Sequence, residues 1–148
     1  MNNFKIVVDA DACPFKKEII EIAKKYELEL YFVFSTSHIS NYPDYVKTIM
    51  VDNMKEAADL AVVNLAKEND IIITQDYGLA AMVLSKKSRV LLNRGLVADK
   101  DNIDQLLAFR HISAKNRKNR VRIKGPGKIT EIDRKYFLDQ LDRMITEV

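Results

Sequence analysis

The stretch Ile6-Val7-Val8-Asp9-Ala10-Asp11-Ala12-Cys13-Pro14 constrains the fold of this chain more than any other. β-Branched Ile6, Val7 and Val8 suit a buried strand. The apolar run stops at two carboxylates one residue apart, Asp9 and Asp11. Pro14 suits the first position of a helix, where no backbone N–H is needed. Both aspartates are therefore expected at the carboxyl end of the first strand, beside a helix N-terminus. In open parallel sheets ligands bind along that edge. A helix cap explains one aspartate and not easily both. The pair reads as part of a divalent-metal site; the alternative is one cap and one solvated charge.

Downstream, strand and helix patterns alternate. Phe15, Ile19, Ile22, Ala23 and Tyr26 recur at helical spacing. Leu28–Phe34 reads as a second strand, 35–45 as a loop, and Thr48–Val51 as a short third strand. Asn53 and Glu56 suggest the start of a helix. Its stripe is Met54, Ala57, Ala58, Ala61, Val62 and Leu65, with Asp59 on the flank. Ile71–Thr74 is a fully apolar fourth strand that also ends near a carboxylate, Asp76. A helix over Leu79–Lys87 follows, then a fifth strand over Arg89–Leu92 and the turn Asn93-Arg94-Gly95. Asp99–Phe109 reads as a helix with Ile103, Leu106, Leu107 and Phe109 apolar. A basic, Gly- and Pro-containing segment spans 110–128. Thr130-Glu131-Ile132-Asp133 resembles a capping box opening a last helix, whose apolar face is Phe137, Leu141, Met144 and Ile145.

This order predicts an α/β fold: a three-layer α/β/α sandwich on a mostly parallel sheet of about five strands. The first strand is central, with the second on one side and the fourth on the other. The chain then reverses between strands one and four, and that switch point gathers Asp9, Asp11 and Asp76. At 148 residues the chain is one domain's worth and can bury a core without disulfides. Its single cysteine excludes an intrachain disulfide and a Cys-rich zinc site. No apolar run approaches the ~20 residues of a membrane span, and the opening residues lack a signal-peptide pattern. A cytoplasmic protein is expected.

Three constellations carry chemistry. Asp9, Asp11, Asp76 and Asp59 offer oxygen donors suited to Mg²⁺ or Mn²⁺, ions that activate water and neutralise a phosphoryl oxygen. Against this, Asp76 serves equally as an N-cap and Asp59 as a solvated flank charge. Glu18 is a candidate outer ligand or base, or an exposed helix charge; Lys16 and Lys17 are candidate phosphate contacts or solvated. Cys13 lies near a helix N-terminus, but a cysteine phosphatase would want an arginine six positions on, where Ile19 stands. Cys13 therefore reads as a packed residue, and His38 and His111 supply no paired base. The third constellation is basic: Arg110, Lys115, Arg117, Lys118, Arg120, Arg122, Lys124 and Lys128 fall between Asp104 and Glu131 with no acidic residue among them. Such a block suits a nucleic-acid backbone, or is a solvated connection. Arg94 in its glycine turn and Gly125-Pro126-Gly127 add a candidate phosphate cradle. A haloacid-dehalogenase-type phosphatase also opens with Asp-x-Asp, yet no late acidic pair stands at a strand end here.

Asp9-Ala10-Asp11-Ala12-Cys13-Pro14 with Lys17 and Glu18 resembles the signature of the bacterial YaiI/YqxD family. Ala58-Asp59, Thr74-Gln75-Asp76 with Leu79-Ala80-Ala81, Asn93-Arg94-Gly95, Gly125-Pro126 and Asp133-Arg134 with Phe137 extend the resemblance over nearly the whole chain. One departure is local: Asn93 abuts Arg94, and Leu96 follows the turn where the family usually has an acidic residue. The resemblance implies a PIN-like fold and an acidic site at Asp9, Asp11, Asp59 and Asp76. It implies no established reaction. Enzymes of the PIN-like type use such clusters to hold Mg²⁺ or Mn²⁺ and cut RNA. The expectation is a metal-dependent nuclease on RNA, with Asp9, Asp11 and Asp76 catalytic and Arg94, Lys115, Arg117, Lys118, Arg120, Arg122 and Lys124 holding the backbone. The alternatives are a non-catalytic RNA-binding module and a metal-dependent phosphatase for a small phosphorylated metabolite.

Overall fold

Ile6, Val7 and Val8 are wholly buried because they form the centre of a six-stranded sheet. The computed structural model describes residues 3–35, 41–118 and 127–147. Its strands are β1 (Ile6–Asp9), β2 (Leu30–Ser35), β3 (Val46–Val51), β4 (Ile71–Ile73), β5 (Arg89–Leu91) and β6 (Val97–Ala98). Its helices are α1 (Lys16–Lys25), α2 (Lys55–Leu65), α3 (Tyr77–Leu84), α4 (Ile103–Lys118) and α5 (Glu131–Thr146). The strand order is β3-β2-β1-β4-β5-β6, parallel throughout except that β6 runs antiparallel to β5. The expected central strand and switch point are both present.

Strand alternation sorts the core into two layers. Ile6 and Val8, with Leu30, Phe32, Ile71, Ile73 and Leu91, pack against α1 and α5 through Ile19, Ala23, Phe137 and Leu141. Val7, with Val33, Ile72 and Val90, packs against α2, α3 and α4 through Val62, Leu79, Val83 and Ile103. Two apolar faces per strand explain why β1 and β4 read as unbroken hydrophobic runs. The last helix opens on the expected capping box, in which Thr130 accepts from the Asp133 N–H and Asp133 from the Thr130 N–H.

Several boundaries differ from the sequence reading. Pro14 does not begin α1, which starts at Lys16; a short 3₁₀ turn, Ala10–Ala12, intervenes. Asp11 therefore sits on that turn, where both its oxygens accept from the Ser35 N–H at 3.1 Å. The N-cap of α2 is Met54, not Asn53, and Met54 is 64% exposed rather than part of the buried stripe. The helix expected from Asp99 begins at Ile103, because Asp99 and Asn102 instead close a turn through each other's backbone N–H. It then runs past Phe109, where the helix is expected to end, to Lys118 inside the basic segment. Lysine and arginine are good helix formers, and no Gly or Pro stands between 110 and 118. Phe109 is not in the core but 61% exposed. β6 is a sixth strand beyond the five expected.

Candidate site at the carboxyl edge of the sheet

The four aspartates reach one cleft from four places. Asp9 ends β1, Asp11 lies on the 3₁₀ turn, Asp59 rides α2, and Asp76 caps α3. They line a cleft of about 290 Å³ together with Ser35, Asn53, Met54 and Ala58. Thr74 ties the Asp9 carboxylate to the Asp76 backbone: its hydroxyl donates to Asp9 Oδ2 at 2.9 Å and accepts from the Asp76 N–H at 3.0 Å. Asp76 Oδ1 accepts from the Leu79 N–H at 3.1 Å, so Asp76 is both a cap and a wall of the cleft. Burial pushes the Asp9 carboxyl above its usual range; the Thr74 hydroxyl pulls it down, and the negative charges of Asp59, Asp11 and Asp76 push it further up.

This donor set is all carboxylate oxygen, which suits a hard cation, and a cation would relieve the repulsion felt at Asp9. Among the described residues no three His, Cys, Asp or Glu side chains form a ready-made metal-holding group. Oxygens from a bound phosphate are the natural complement to so open a set, since Mg²⁺ commonly takes one or two carboxylates plus substrate phosphates.

Two further cavities adjoin the cleft and share its walls. One, of about 440 Å³, includes Asp9, Asp76, Gln75, Tyr77 and Arg110. Arg110, on α4, brings Nη1 to 3.7 Å from Asp76 Oδ1. A Cβ on Gly78 would stand 2.8 Å from that same Nη1, so the absence of a side chain at position 78 leaves the guanidinium its place. The other, of about 650 Å³, includes Asp11, Lys16, Lys17, Phe34 and Tyr42. The carboxyl edge thus carries three cavities side by side, a trough partitioned by the carboxylates they share.

The remaining candidates are placed as follows. Glu18 turns to α5 and accepts from Arg134 Nε at 3.1 Å. Lys16 Nζ donates to the Cys13 carbonyl at 3.0 Å, and Lys17 is exposed. Cys13 is buried, and burial pushes its thiol up to about 11, which leaves it protonated and unreactive at neutral pH. Arg94 pairs with Asp133 at 2.8 Å and also donates to the Gly127 carbonyl, tying the turn after β5 to the start of α5. Gly95 has φ +96, and a Cβ there would lie 2.6 Å from the Tyr136 ring. Lys115, Arg117 and Lys118 fall on α4, and His111 is exposed on it. Arg120, Arg122, Lys124, the Gly125-Pro126 pair and His38 lie outside the described residues.

Three supporting residues had not been singled out from sequence for these roles: Ser35, Thr74 and Asn93. Asn93 Nδ2 donates to the Ala12 carbonyl at 3.1 Å, and its backbone N–H donates to Gln75 at 3.0 Å, which pins β5 to the 3₁₀ turn. Asn93 Oδ1 is the one buried side-chain polar atom among the described residues without a hydrogen-bond partner. The Thr74-x-Asp76 spacing was the available signal, since a hydroxyl two residues before an aspartate can bond its backbone N–H.

Fold and site together define a class: an open α/β sheet with carboxylates gathered at its switch point. The model of the "Uncharacterized BCR, YaiI/YqxD family" matches residues 7–147, and the chain belongs to that family. A UPF0178 protein of Oceanobacillus iheyensis is 46% identical over 145 residues, covering 97% of this chain and 99% of the relative. One from Bacillus cereus is 48% identical over 135 residues, covering 90% and 92%, and one from Listeria monocytogenes 43% over 137 residues, covering 93% and 92%. No solved structure matches the chain. Among the described residues no helix is long and apolar enough to cross a membrane.

Proposed function

We propose that this protein is a divalent-cation-dependent nuclease that hydrolyses phosphodiesters in RNA, acting in the cytoplasm on a PIN-like scaffold. The observation that carries the reading is the convergence of Asp9, Asp11, Asp59 and Asp76 on one cleft at the switch point. Those four residues are the proposed holders of Mg²⁺ or Mn²⁺, completed by a substrate phosphate. Such an ion, when bound, acidifies a water and offsets charge on the phosphoryl group. Thr74 holds the Asp9 carboxylate in orientation, and the Leu79 N–H does the same for Asp76. Arg110 and the basic residues that follow it on α4 supply the backbone contacts, and exposed Phe109 offers a stacking face beside them.

The test pairs binding with cleavage. Mn²⁺ and Mg²⁺ are titrated calorimetrically into wild type and Asp9→Asn, with and without a phosphorothioate RNA oligonucleotide, and cleavage of the unmodified oligonucleotide is followed in parallel. The expected result is saturable ion uptake that strengthens with the oligonucleotide, with both uptake and cleavage lost in Asp9→Asn. Full activity in Asp9→Asn and Asp76→Asn overturns the assignment. Salt-sensitive RNA binding that needs no metal and survives Asp9→Asn identifies a non-catalytic RNA-binding module instead.

A further inference from the structure

The 650 Å³ cavity beside Asp11 has a different character from the carboxylate cleft that it joins. Ile20, Phe34, Tyr42 and Pro43 supply its apolar lining, and α1 supplies its further charged lining, Lys16 and Lys17 from the first turn and Glu21 beyond them. The aromatic wall is prebuilt: Tyr42 stands edge-on to Phe32 at 4.9 Å between centroids, and lies 6.2 Å from the Phe34 ring. Its size falls within the usual range of ligand pockets, ~300–1,000 Å³. Asp11 is the shared wall, so a ligand occupying this cavity sits immediately beside the carboxylate cluster.

We propose that this cavity binds the base of one unstacked nucleotide, whose phosphate lies under Lys17 and towards the carboxylates. The inference rests on the nuclease reading and deepens it. An apolar, aromatic-sided cavity matches the faces of a base, and the lysines lining it match a phosphate, whereas a bare phosphate or metal ion would leave the apolar wall unused. A base enters such a cavity only when it is out of a duplex stack, so the bound nucleotide is an unpaired one or one flipped out of a duplex. From that anchor the strand crosses the carboxylates towards Arg110, which gives the trough a direction: a base at the α1 end, backbone contacts at the α4 end.

The experiment titrates AMP, UMP and ribose 5-phosphate into the full chain in EDTA, for wild type, Ile20→Glu, Lys17→Glu and Asp9→Asn. Both nucleotides are expected to bind about tenfold more tightly than ribose 5-phosphate. Ile20→Glu, which places a charge inside the cavity, abolishes that advantage; Asp9→Asn, outside the cavity, keeps it. Lys17 is exposed, so Lys17→Glu leaves folding intact and weakens nucleotide binding even if Ile20→Glu proves unstable. Equal binding of nucleotide and ribose 5-phosphate, or nucleotide binding unchanged in a folded Ile20→Glu and in Lys17→Glu, overturns the proposal. Base-dependent binding in EDTA with no RNA cleavage under Mn²⁺ keeps the cavity and removes the nuclease. Cleavage with no base-dependent binding does the reverse.

Discussion

Asp9 stands where burial and three like charges oppose its ionisation, with one hydroxyl in its favour. A carboxyl whose folded pKa is raised weakens the fold as pH climbs from its ordinary value, 3.8, through the raised one. Asp9→Asn removes that cost while its amide oxygen still accepts from Thr74. The variant is expected to be more stable than wild type at neutral pH by about 0.5–2 kcal/mol, an advantage that disappears below the ordinary carboxyl value. Urea melts across that range check it. Added Mn²⁺ should narrow the gap at neutral pH, since an ion bound only by the folded wild type stabilises it alone. At Gly78 two effects take opposite signs. Gly78→Ala improves helix propensity in α3 by up to about 1 kcal/mol, yet its Cβ displaces the Arg110 guanidinium and crowds Asp76 Oδ1 at 3.2 Å. Thermal stability should hold or rise, and on the proposed nuclease reading RNA affinity falls. On the same reading, Arg110→Ala should weaken binding of all RNA sequences alike and lower the salt slope by about 1.

Two helices end on residues in the left-handed region that are not glycine. Glu27 has φ 55 and Lys87 has φ 66. In each case the next N–H reaches back into the last helical turn, from Leu28 to the Ala23 carbonyl at 2.9 Å and from Ser88 to Val83 at 3.2 Å. Glycine is the residue such ends favour. Glu27→Gly and Lys87→Gly are each expected to stabilise by about 0.5–1 kcal/mol, additively because the sites belong to different helices. Thr130→Ala should instead cost about 1 kcal/mol by emptying the capping box of α5. Sequence legibility divides along the same lines. β1, β4 and the α5 cap were readable because burial on two faces and a capping box leave local marks. β6 was not, since two residues, Val97 and Ala98, carry no periodicity and are a strand only because β5 stands beside them. Of the site, Asp9 and Asp76 were placed by their strands. Asp11 reaches the cleft from a 3₁₀ turn that carries no mark in the sequence, and Asn93 acts through contacts with residues 81 and 18 positions away.

At the scale of the molecule, the two edges of the parallel sheet differ in kind. The carboxyl edge gathers like charges; the amino edge pairs opposite ones. Lys5 and Asp70 form an ion pair there, with the Asp70 side chain only 4% exposed, and Asp70 Oδ1 also accepts from the Lys5 N–H at 3.0 Å. Asp70→Ala should therefore be far more damaging than any substitution in the cleft, by about 3–5 kcal/mol, because it leaves a half-buried ammonium without its partner; the midpoint of chemical denaturation measures it. Arg89, at the start of β5, belongs to the same edge. The Phe4 ring lies 4.7 Å from its guanidinium, and the same group donates to the Met144 carbonyl near the end of α5. The lead-in to the first strand and the final helical turn thus rest on one side chain, at the pole away from the carboxylates. Arg89→Ala would therefore loosen both segments at once while leaving the carboxylate cleft untouched.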